Sequence, residues 1–264
     1  MRTVHAGPKT GLYAGLGLSA LGLLTLLGAT VGLGLPGWIV GAGAAAGLAV
    51  ALEGGKRVYG IERLGPADGV TLARAVLACG VAALTADSFG SPVPVPAAAP
   101  VAPLGALVTL AAVALVLDTV DGQVARRTRT ASAFGARFDM ESDAFLIAVL
   151  SVYVARREGV WVLALGAARY VFVAAGSLRP WLTGPLPARY WRKVVAAAQG
   201  IVLAVAAAAV LPDAATRAAL VVALLLLVES FGRDVLTLWR AQRGTPAVPR
   251  PPAGVPGRHG IPNA

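Results

Sequence analysis

Four aspartates occupy fixed positions between residues 118 and 143 of an otherwise apolar chain. Asp118 and Asp121 are three residues apart near the end of one apolar run, and Asp139 and Asp143 are four apart at the start of the next. Residues at these spacings share a helical face, so two helices joined by a short hairpin would bring four carboxylates into one pocket. Carboxylates are costly beside membrane spans unless they have a cationic partner, and we therefore expect a binding site here.

Oxygen ligands in this number are typical of hard divalent ions. Mg²⁺ and Mn²⁺ prefer carboxylate oxygen, and two such ions about 3.5 to 4 Å apart form the clamp used in phosphoryl transfer. No Cys or His lies close enough in the sequence to suggest zinc. The pattern predicts two Mg²⁺ or Mn²⁺ ions, held by Asp118, Asp121, Asp139 and Asp143.

Small residues and one cation accompany the aspartates. Gly122 and Ala125 remove side-chain bulk where a diphosphate would approach the backbone, and Arg126 can bind a phosphate oxygen. Gly135, one turn before Asp139, could provide the same room on the second helix. These four residues are therefore candidates for binding a diphosphate.

The complete pattern resembles the signature of the CDP-alcohol phosphotransferase family, D-x2-D-G-x2-A-R-x8-G-x3-D-x3-D, and departs from it at no defined position. Members are integral membrane enzymes of phospholipid synthesis. The resemblance implies transfer of a phosphatidyl group from a CDP-linked lipid, usually CDP-diacylglycerol, to the hydroxyl of a small alcohol, with release of CMP. It also implies that Asp143 is the general base, that the chain forms a homodimer, and that a six-helix core extends over roughly residues 68 to 240.

The composition is independently that of a membrane protein. Hydrophobic residues make up 57% of the chain, charged residues only 14%, and the mean hydropathy is +0.73. A spanning helix needs about 20 mostly apolar residues. We expect an all-α, polytopic transmembrane helix bundle, a six-helix core plus an N-terminal two-helix hairpin, with about eight spans near residues 12–34, 37–53, 70–87, 101–121, 139–156, 159–178, 194–211 and 214–235.

The predicted organisation has four parts: a transmembrane hairpin (1–53), a cytoplasmic linker or interfacial helix (54–68), the catalytic core (69–240) and a disordered basic cytoplasmic tail (241–264). The start of the chain resembles a signal peptide. Its apolar run is too long for one and a second span follows closely, so we favour an uncleaved hairpin over cleavage. The tail is rich in Pro, Gly and Arg and has no apolar period.

The distribution of basic residues predicts the orientation. With eight spans and both ends on one side, Arg156, Arg157 and Arg217 are the only basic residues on the other side, against twenty of the 23 Lys and Arg on the first. The positive-inside rule then places both termini and the aspartate site on the cytoplasmic side. The resemblance implies that the membrane is the bacterial cell membrane. Topology and attraction to anionic membrane lipids account for the net charge of +10 without nucleic acid as a partner.

Three residues outside the signature could also bind substrate. Thr71 and Arg74 begin the third span in the sequence TLAR, and the resemblance suggests a position close to the nucleotide. An N-cap threonine and an arginine that snorkels to the interface explain them equally well. Arg169 falls near the middle of an apolar span, where an arginine needs an anion, so we favour phosphate binding over a structural ion pair.

The acceptor alcohol is expected to be anionic. Basic residues favour inositol phosphate or glycerol 3-phosphate over serine or a neutral alcohol, and phosphatidylglycerol in a cardiolipin-type reaction would also fit. The ordinary excess of basic residues in cytoplasmic loops is the other explanation for the basic residues of the loop between the sixth and seventh predicted spans. The candidate acceptor-binding residues are Arg169, Arg179, Arg189, Arg192 and Lys193.

Two other functions stay open at this point. A polytopic transporter or cation channel could use intramembrane aspartates to bind a moving ion, although it would leave the Gly, Ala and Arg positions unexplained. An inactive family member could serve as a membrane scaffold, although the set of four aspartates is complete. Release of CMP would distinguish the enzyme from both.

Overall fold

The computed structural model describes residues 9–60, 65–90, 101–128, 132–184, 186 and 190–244, without the side chains of residues 9–14, 101, 121–128 and 244. These residues contain no strand. The predicted all-α class is confirmed. The eight α-helices are α1 (Lys9–Val31), α2 (Leu35–Tyr59), α3 (Pro66–Gly90), α4 (Val101–Thr128), α5 (Ala133–Glu158), α6 (Leu163–Leu178), α7 (Tyr190–Ala208) and α8 (Asp213–Gly244).

Six of these helices, within the described residues, are long and apolar enough to cross a membrane. They are α2, α3, α4, α6 with the short 3₁₀ turn before it, α7 and α8. The predicted polytopic bundle is therefore confirmed, although two of the eight predicted spans fall outside this set. The apolar part of α1, Gly15–Val31, is shorter than the others. Helix α5 has acidic residues in its first half and basic residues in its last turn, which leaves a short apolar middle.

Two helices continue beyond the ends of their predicted spans. Helix α2 extends to Tyr59 instead of residue 53, so the first residues assigned to the linker are its last turns, and α4 extends to Thr128 instead of residue 121. Charged residues such as Lys56 and Arg57 are good helix formers, and Arg57 also pairs with Glu53 one turn earlier. Apolarity therefore marks the membrane span, whereas the helix continues through the charged turns that follow.

Helix α3 lies at the centre of the bundle, in contact with α1, α2, α4 and α5. Its apolar stretch is 67% buried, whereas the other candidate spans are 33% buried or less. Small residues allow this close packing. Gly80, for example, lies between Leu23 of α1 and Leu110 of α4, where an added Cβ would be within 3.0 Å of both side chains. Residues on α3 are thus positioned by four neighbouring helices.

A small apolar cluster fixes the first turns of α5, which carries Asp139 and Asp143. Leu52 of α2 and Ala75 of α3 pack against Phe134 and Phe138, whose rings stack with centroids 5.8 Å apart. Helix α2 approaches so closely that a Cβ on Gly55 would lie 2.7 Å from the Phe134 ring. The N-terminal helices therefore support the start of the helix that carries the second aspartate pair.

The contact between α5 and α6 predicts a large cost for one methyl group. A Cβ on Gly166 would lie 2.2 Å from Ser151 Oγ and 2.7 Å from the Ala148 backbone. We expect Gly166→Ala to lower the free energy of unfolding by about 1–3 kcal/mol, as overpacking usually does. Thermal unfolding in detergent measures this. The control is Gly43→Ala, since nothing lies within 4 Å of that position. Equal melting temperatures for the two variants would contradict the packing.

Candidate metal centre

Arg74 of α3 lies at the centre of the aspartate cluster. Its side chain is 3% exposed and its guanidinium pairs with Asp118 of α4 and with Asp139 and Asp143 of α5. Arg74 Nη2 is 3.0 Å from Asp118 Oδ1, and Nε donates to the Ala114 carbonyl at 3.2 Å. Three of the four candidate aspartates therefore converge on Arg74 from two helices.

The three carboxylates have the donor chemistry of a divalent-ion site. One oxygen of each lies within 4.8 Å of the other two, so the three could hold one metal ion between them. The carboxylates are 31% to 37% exposed, so the cluster is open on one side. Among the side chains that the structure describes here, three carboxylates and one guanidinium leave two negative charges in excess. The residues present therefore fit an Mg²⁺ or Mn²⁺ ion.

The rest of the first signature half lies on the last turns of α4. Asp121, Gly122, Ala125 and Arg126 all belong to this helix, which continues to Thr128. Asp121 is one helical turn beyond Asp118, so its backbone lies next to the cluster. The side chains of these residues fall outside the described part of the chain, and their roles stay predictions.

Thr71 lies inside α3 and is not its N-cap, because the helix begins at Pro66. Its hydroxyl donates to the Ala67 carbonyl at 3.3 Å, and the side chain is 3% exposed. The N-cap explanation for Thr71 is therefore wrong. Arg74, one turn further along, is buried among the aspartates, so it does not snorkel to the interface. Both residues are buried at the aspartate end of α3.

Gly135 meets a carboxylate that the sequence analysis overlooked. Ser132 caps α5 and its Oγ accepts from Gly135 N at 2.9 Å. A Cβ on Gly135 would lie 2.6 Å from Oδ1 of Asp68 on α3, and the other oxygen, Oδ2, accepts from Gly65 N at 2.8 Å. Asp68 thus occupies the space beside Gly135. Asp68 is three residues before Thr71, so the two share a face of α3, and this spacing is the sequence signal that could have indicated Asp68.

Arg169 of α6 forms an ion pair, the structural alternative to phosphate binding. Its Nη2 is 2.6 Å from Oε1 of Glu141, and Glu141 also approaches Arg137 Nε at 3.7 Å. Glu141 is two residues from both Asp139 and Asp143 on α5, a spacing that places it on a different helical face from those two aspartates. Arg169 is 25% exposed and keeps an accessible face. Sequence spacing alone gave no indication of this partner.

The other candidate acceptor-binding residues lie near the start of α7 and the end of α6. Arg192 Nη1 is 3.7 Å from Asp234 Oδ2 on α8, Lys193 is exposed on α7, and Arg179 caps the end of α6. Arg189 lies outside the described residues. Their part in acceptor binding stays a prediction.

Six apolar helices and a carboxylate cluster able to hold a cation define a polytopic membrane protein with a candidate metal centre. A family model described as CDP-alcohol phosphatidyltransferase matches residues 66–229, well over half of the chain. The chain belongs to the CDP-alcohol phosphatidyltransferase family, and the resemblance seen in the signature is confirmed. The match begins with α3 and ends within α8, so it leaves out α1 and α2.

Membership establishes the general activity, a CDP-alcohol phosphotransferase of phospholipid synthesis that works with a CDP-alcohol and an alcohol acceptor. The family is metal-dependent, and the aspartates are the residues that could hold the ion. Comparison with curated proteins gives no match, and comparison with solved structures gives none either.

Removal of the Arg74 guanidinium should destabilise the protein. Arg74→Gln leaves three carboxylates facing one another, and we expect a loss of about 3 kcal/mol, the low end for a broken buried pair because the aspartates are partly exposed. Thermal unfolding in detergent with a metal chelator measures this. Added Mg²⁺ or Mn²⁺ should raise the melting temperature of Arg74→Gln more than that of the wild type.

The matched control for this variant is Arg57→Gln, which removes an exposed arginine from a pair within α2. Such a pair contributes little, so its melting temperature should stay near that of the wild type. An Arg74→Gln protein that melts like Arg57→Gln would show that Arg74 does not hold the cluster together.

Proposed function

We propose that this protein transfers a phosphatidyl group from a CDP-linked lipid, CDP-diacylglycerol, to an alcohol acceptor that carries a phosphate, with release of CMP. The acceptor classes that fit best are inositol phosphate and glycerol 3-phosphate. The observation that carries the proposal is the convergence of Asp118, Asp139 and Asp143 on one buried arginine, in a family of CDP-alcohol phosphotransferases.

Two divalent ions are proposed to bind Asp118, Asp121, Asp139 and Asp143. The described carboxylates exceed the one described guanidinium by two negative charges, which balances one divalent ion, and the diphosphate of the donor would bring negative charge for the second. Bound Mg²⁺ or Mn²⁺ would neutralise charge on the diphosphate and stabilise CMP as it leaves. The transfer then needs positioning and electrostatics more than covalent chemistry by the protein.

The chain's own residues would direct the transfer. The acceptor hydroxyl oxygen forms a bond to the lipid-bearing phosphorus, the bond from that phosphorus to the bridging oxygen of CMP breaks, and the hydroxyl proton passes to Asp143. Arg74 positions Asp143 by donating to its Oδ1. The proposed diphosphate and nucleotide contacts come from Gly122, Ala125, Arg126, Gly135, Thr71 and Arg74.

Arg169 is proposed to bind the phosphate of the acceptor. Its guanidinium is 25% exposed, and its Nη2 lies 2.6 Å from Oε1 of Glu141 on α5, the helix that also carries Asp139 and Asp143. A guanidinium has five donors, so one that is held by a carboxylate can still bind a phosphate oxygen. Arg179, Arg189, Arg192 and Lys193 would add a positive field on the path of the acceptor.

The remaining proposals concern the setting of the enzyme. Six apolar helices suggest an integral membrane protein. We propose the bacterial cell membrane, with the aspartate site and both termini in the cytoplasm, where cytidine nucleotides are available. A homodimer and the division at residues 53, 68 and 240 also stay proposals, supported by the family and by the charge distribution.

The general-base role predicts a selective loss of activity. Asp143→Asn should lower metal-dependent CMP release from CDP-diacylglycerol by roughly 10²–10⁴-fold, the usual contribution of general acid–base catalysis. Asp213→Asn is the control, because Asp213 is 67% exposed and pairs with Arg157 at the other end of α5. Full activity in Asp143→Asn would remove this residue from the base role. The assay names the acceptor when inositol phosphate, glycerol 3-phosphate, serine, inositol and phosphatidylglycerol are added one at a time.

Two substitutions in one ion pair distinguish acceptor binding from a structural role for Arg169. Arg169→Gln should raise the KM for the acceptor about tenfold or more and leave the KM for CDP-diacylglycerol unchanged. Glu141→Gln breaks the same pair but keeps the arginine, so its acceptor KM should stay equal or fall. If both variants change the acceptor KM equally, the pair is structural and the proposal for Arg169 is wrong.

A further inference from the structure

An apolar groove opens between α2, α3 and α5, away from the aspartates. Its volume is about 490 Å³, and its walls include Val40 and Ala44 of α2, Ala82 and Ala86 of α3, and Phe145 and Val149 of α5. This volume is within the roughly 300–1,000 Å³ of ordinary ligand pockets. The groove lies toward the C-terminal ends of α3 and α5, whereas the aspartate cluster lies toward their N-terminal ends.

Arg156 stands at the end of this groove. Phe145, Val149 and Val152 line it on one face of α5, and Arg156 continues that face one turn later. Its guanidinium carbon lies 4.5 Å from the centre of the Phe89 ring, itself part of the groove wall. An aromatic ring attracts the cation but offers no lone pair to a donor in its plane. Arg156 Nη1 is buried and has no hydrogen-bond partner among the described residues.

No carboxylate of the described residues forms an ion pair with Arg156, and the acidic residues at this end of the bundle have other contacts. Glu158 pairs with Arg157 and Arg217, Asp213 pairs with Arg157, and Asp87 accepts from Gly34 N at 2.9 Å. Residues 91–100, which follow α3, contain no acidic residue at all. A buried cationic nitrogen with no anion is costly in an apolar setting. We therefore expect the partner of Arg156 Nη1 to be an anion from outside the chain.

A second polar group in the groove also lacks a partner. Thr85 of α3 lines the groove and is 4% exposed, and its Oγ1 has no hydrogen-bond partner among the described residues. Threonine in a helix commonly donates to the carbonyl one turn earlier, but Thr85 does not. Thr85 is one turn before Phe89, about 6 Å along the axis. The hydroxyl therefore lies deeper in the groove than the guanidinium over Phe89.

We propose that this groove is a binding site for one membrane phospholipid with an anionic headgroup. Its phosphate accepts from Arg156 Nη1, an ester carbonyl accepts from the Thr85 hydroxyl, and an acyl chain fills the apolar groove. The order of the contacts, a charged group, then a polar group, then an apolar stretch, follows the order of the parts of a phospholipid. Helix α2, which lies outside the family match, forms one wall.

The occupant is not the CDP-lipid that reacts at the aspartates. Arg156 follows Asp143 by thirteen residues in α5, or about 20 Å along a helix. A diphosphate at the aspartates cannot reach Arg156 at the same time. A lipid whose phosphate is at Arg156 must therefore enter from the opposite end of the bundle. This site is separate from the transfer reaction and does not depend on the proposed function.

Native mass spectrometry of the delipidated protein in detergent tests the proposal. Titration with phosphatidylglycerol and with phosphatidylcholine of identical acyl chains gives the affinity for each. We expect the wild type to bind one phosphatidylglycerol at least tenfold more tightly than phosphatidylcholine. Arg156→Gln should lose this preference, and Thr85→Val should weaken the binding of both lipids. Arg157→Gln is the control, because the neighbouring Arg157 pairs with Asp213 and Glu158.

A variant that keeps every charge provides a second test. Ala86→Phe should fill the groove and weaken both lipids, and it stays informative if Arg156→Gln fails to fold. Phosphatidylglycerol binding by Arg156→Gln or by Ala86→Phe at wild-type strength would overturn the proposal. So would equal affinity of the wild type for the two lipids. Displacement of the bound lipid by CDP-diacylglycerol, one for one, would show that the groove holds the acyl chain of the donor instead.

Discussion

The pairing of buried Arg74 with three aspartates is the constraint on which the rest of the structure depends. A guanidinium that is 3% exposed inside a helix bundle must be neutralised, because an unpaired charge there costs a large part of the free energy of folding. Helices α4 and α5 must therefore present their carboxylates to the same point on α3. The central position of α3, the small residues along it and the apolar support of the first turns of α5 all serve this convergence.

The same pairing leaves negative charge at the site that can attract a divalent cation. Among the described side chains, one guanidinium faces three carboxylates, so this part of the cluster carries a net negative charge and has an open side. The arginine thus has two effects. It lowers the repulsion enough for the carboxylates to lie close together, and it leaves enough charge to attract a divalent ion. A fully neutralised cluster would be more stable and would have no use for a metal.

The sequence predicted the fold class and the aspartate cluster, because both follow from local spacing. Apolar runs identify spans, and intervals of three and four place Asp139 and Asp143 on one face. It did not predict partners that are distant along the chain. Arg74 could be named only as a candidate, since its aspartate partners lie more than 40 residues away in the sequence. The pairing of Arg169 on α6 with Glu141 on α5 could not be predicted for the same reason. Asp68 was missed because its meaning depends on Gly135, which only the packing of α3 on α5 brings near it.

The N-terminal helices acquire a role from where they pack. Helix α2 lies outside the family match, yet it contacts α5 near the aspartates and lines a groove together with α5 further along. At the aspartate end, Leu52 and Gly55 hold the ring of Phe134, so the helix that carries Asp139 and Asp143 starts from a fixed position. Toward the other end, Val40 and Ala44 form a wall of the apolar groove that leads to Arg156. A helix that took no part in the packing of the core would neither contact Phe134 nor form a wall of this groove. The hairpin therefore extends the catalytic core, since it supports the aspartate helix and encloses a groove that α3 and α5 alone would leave open.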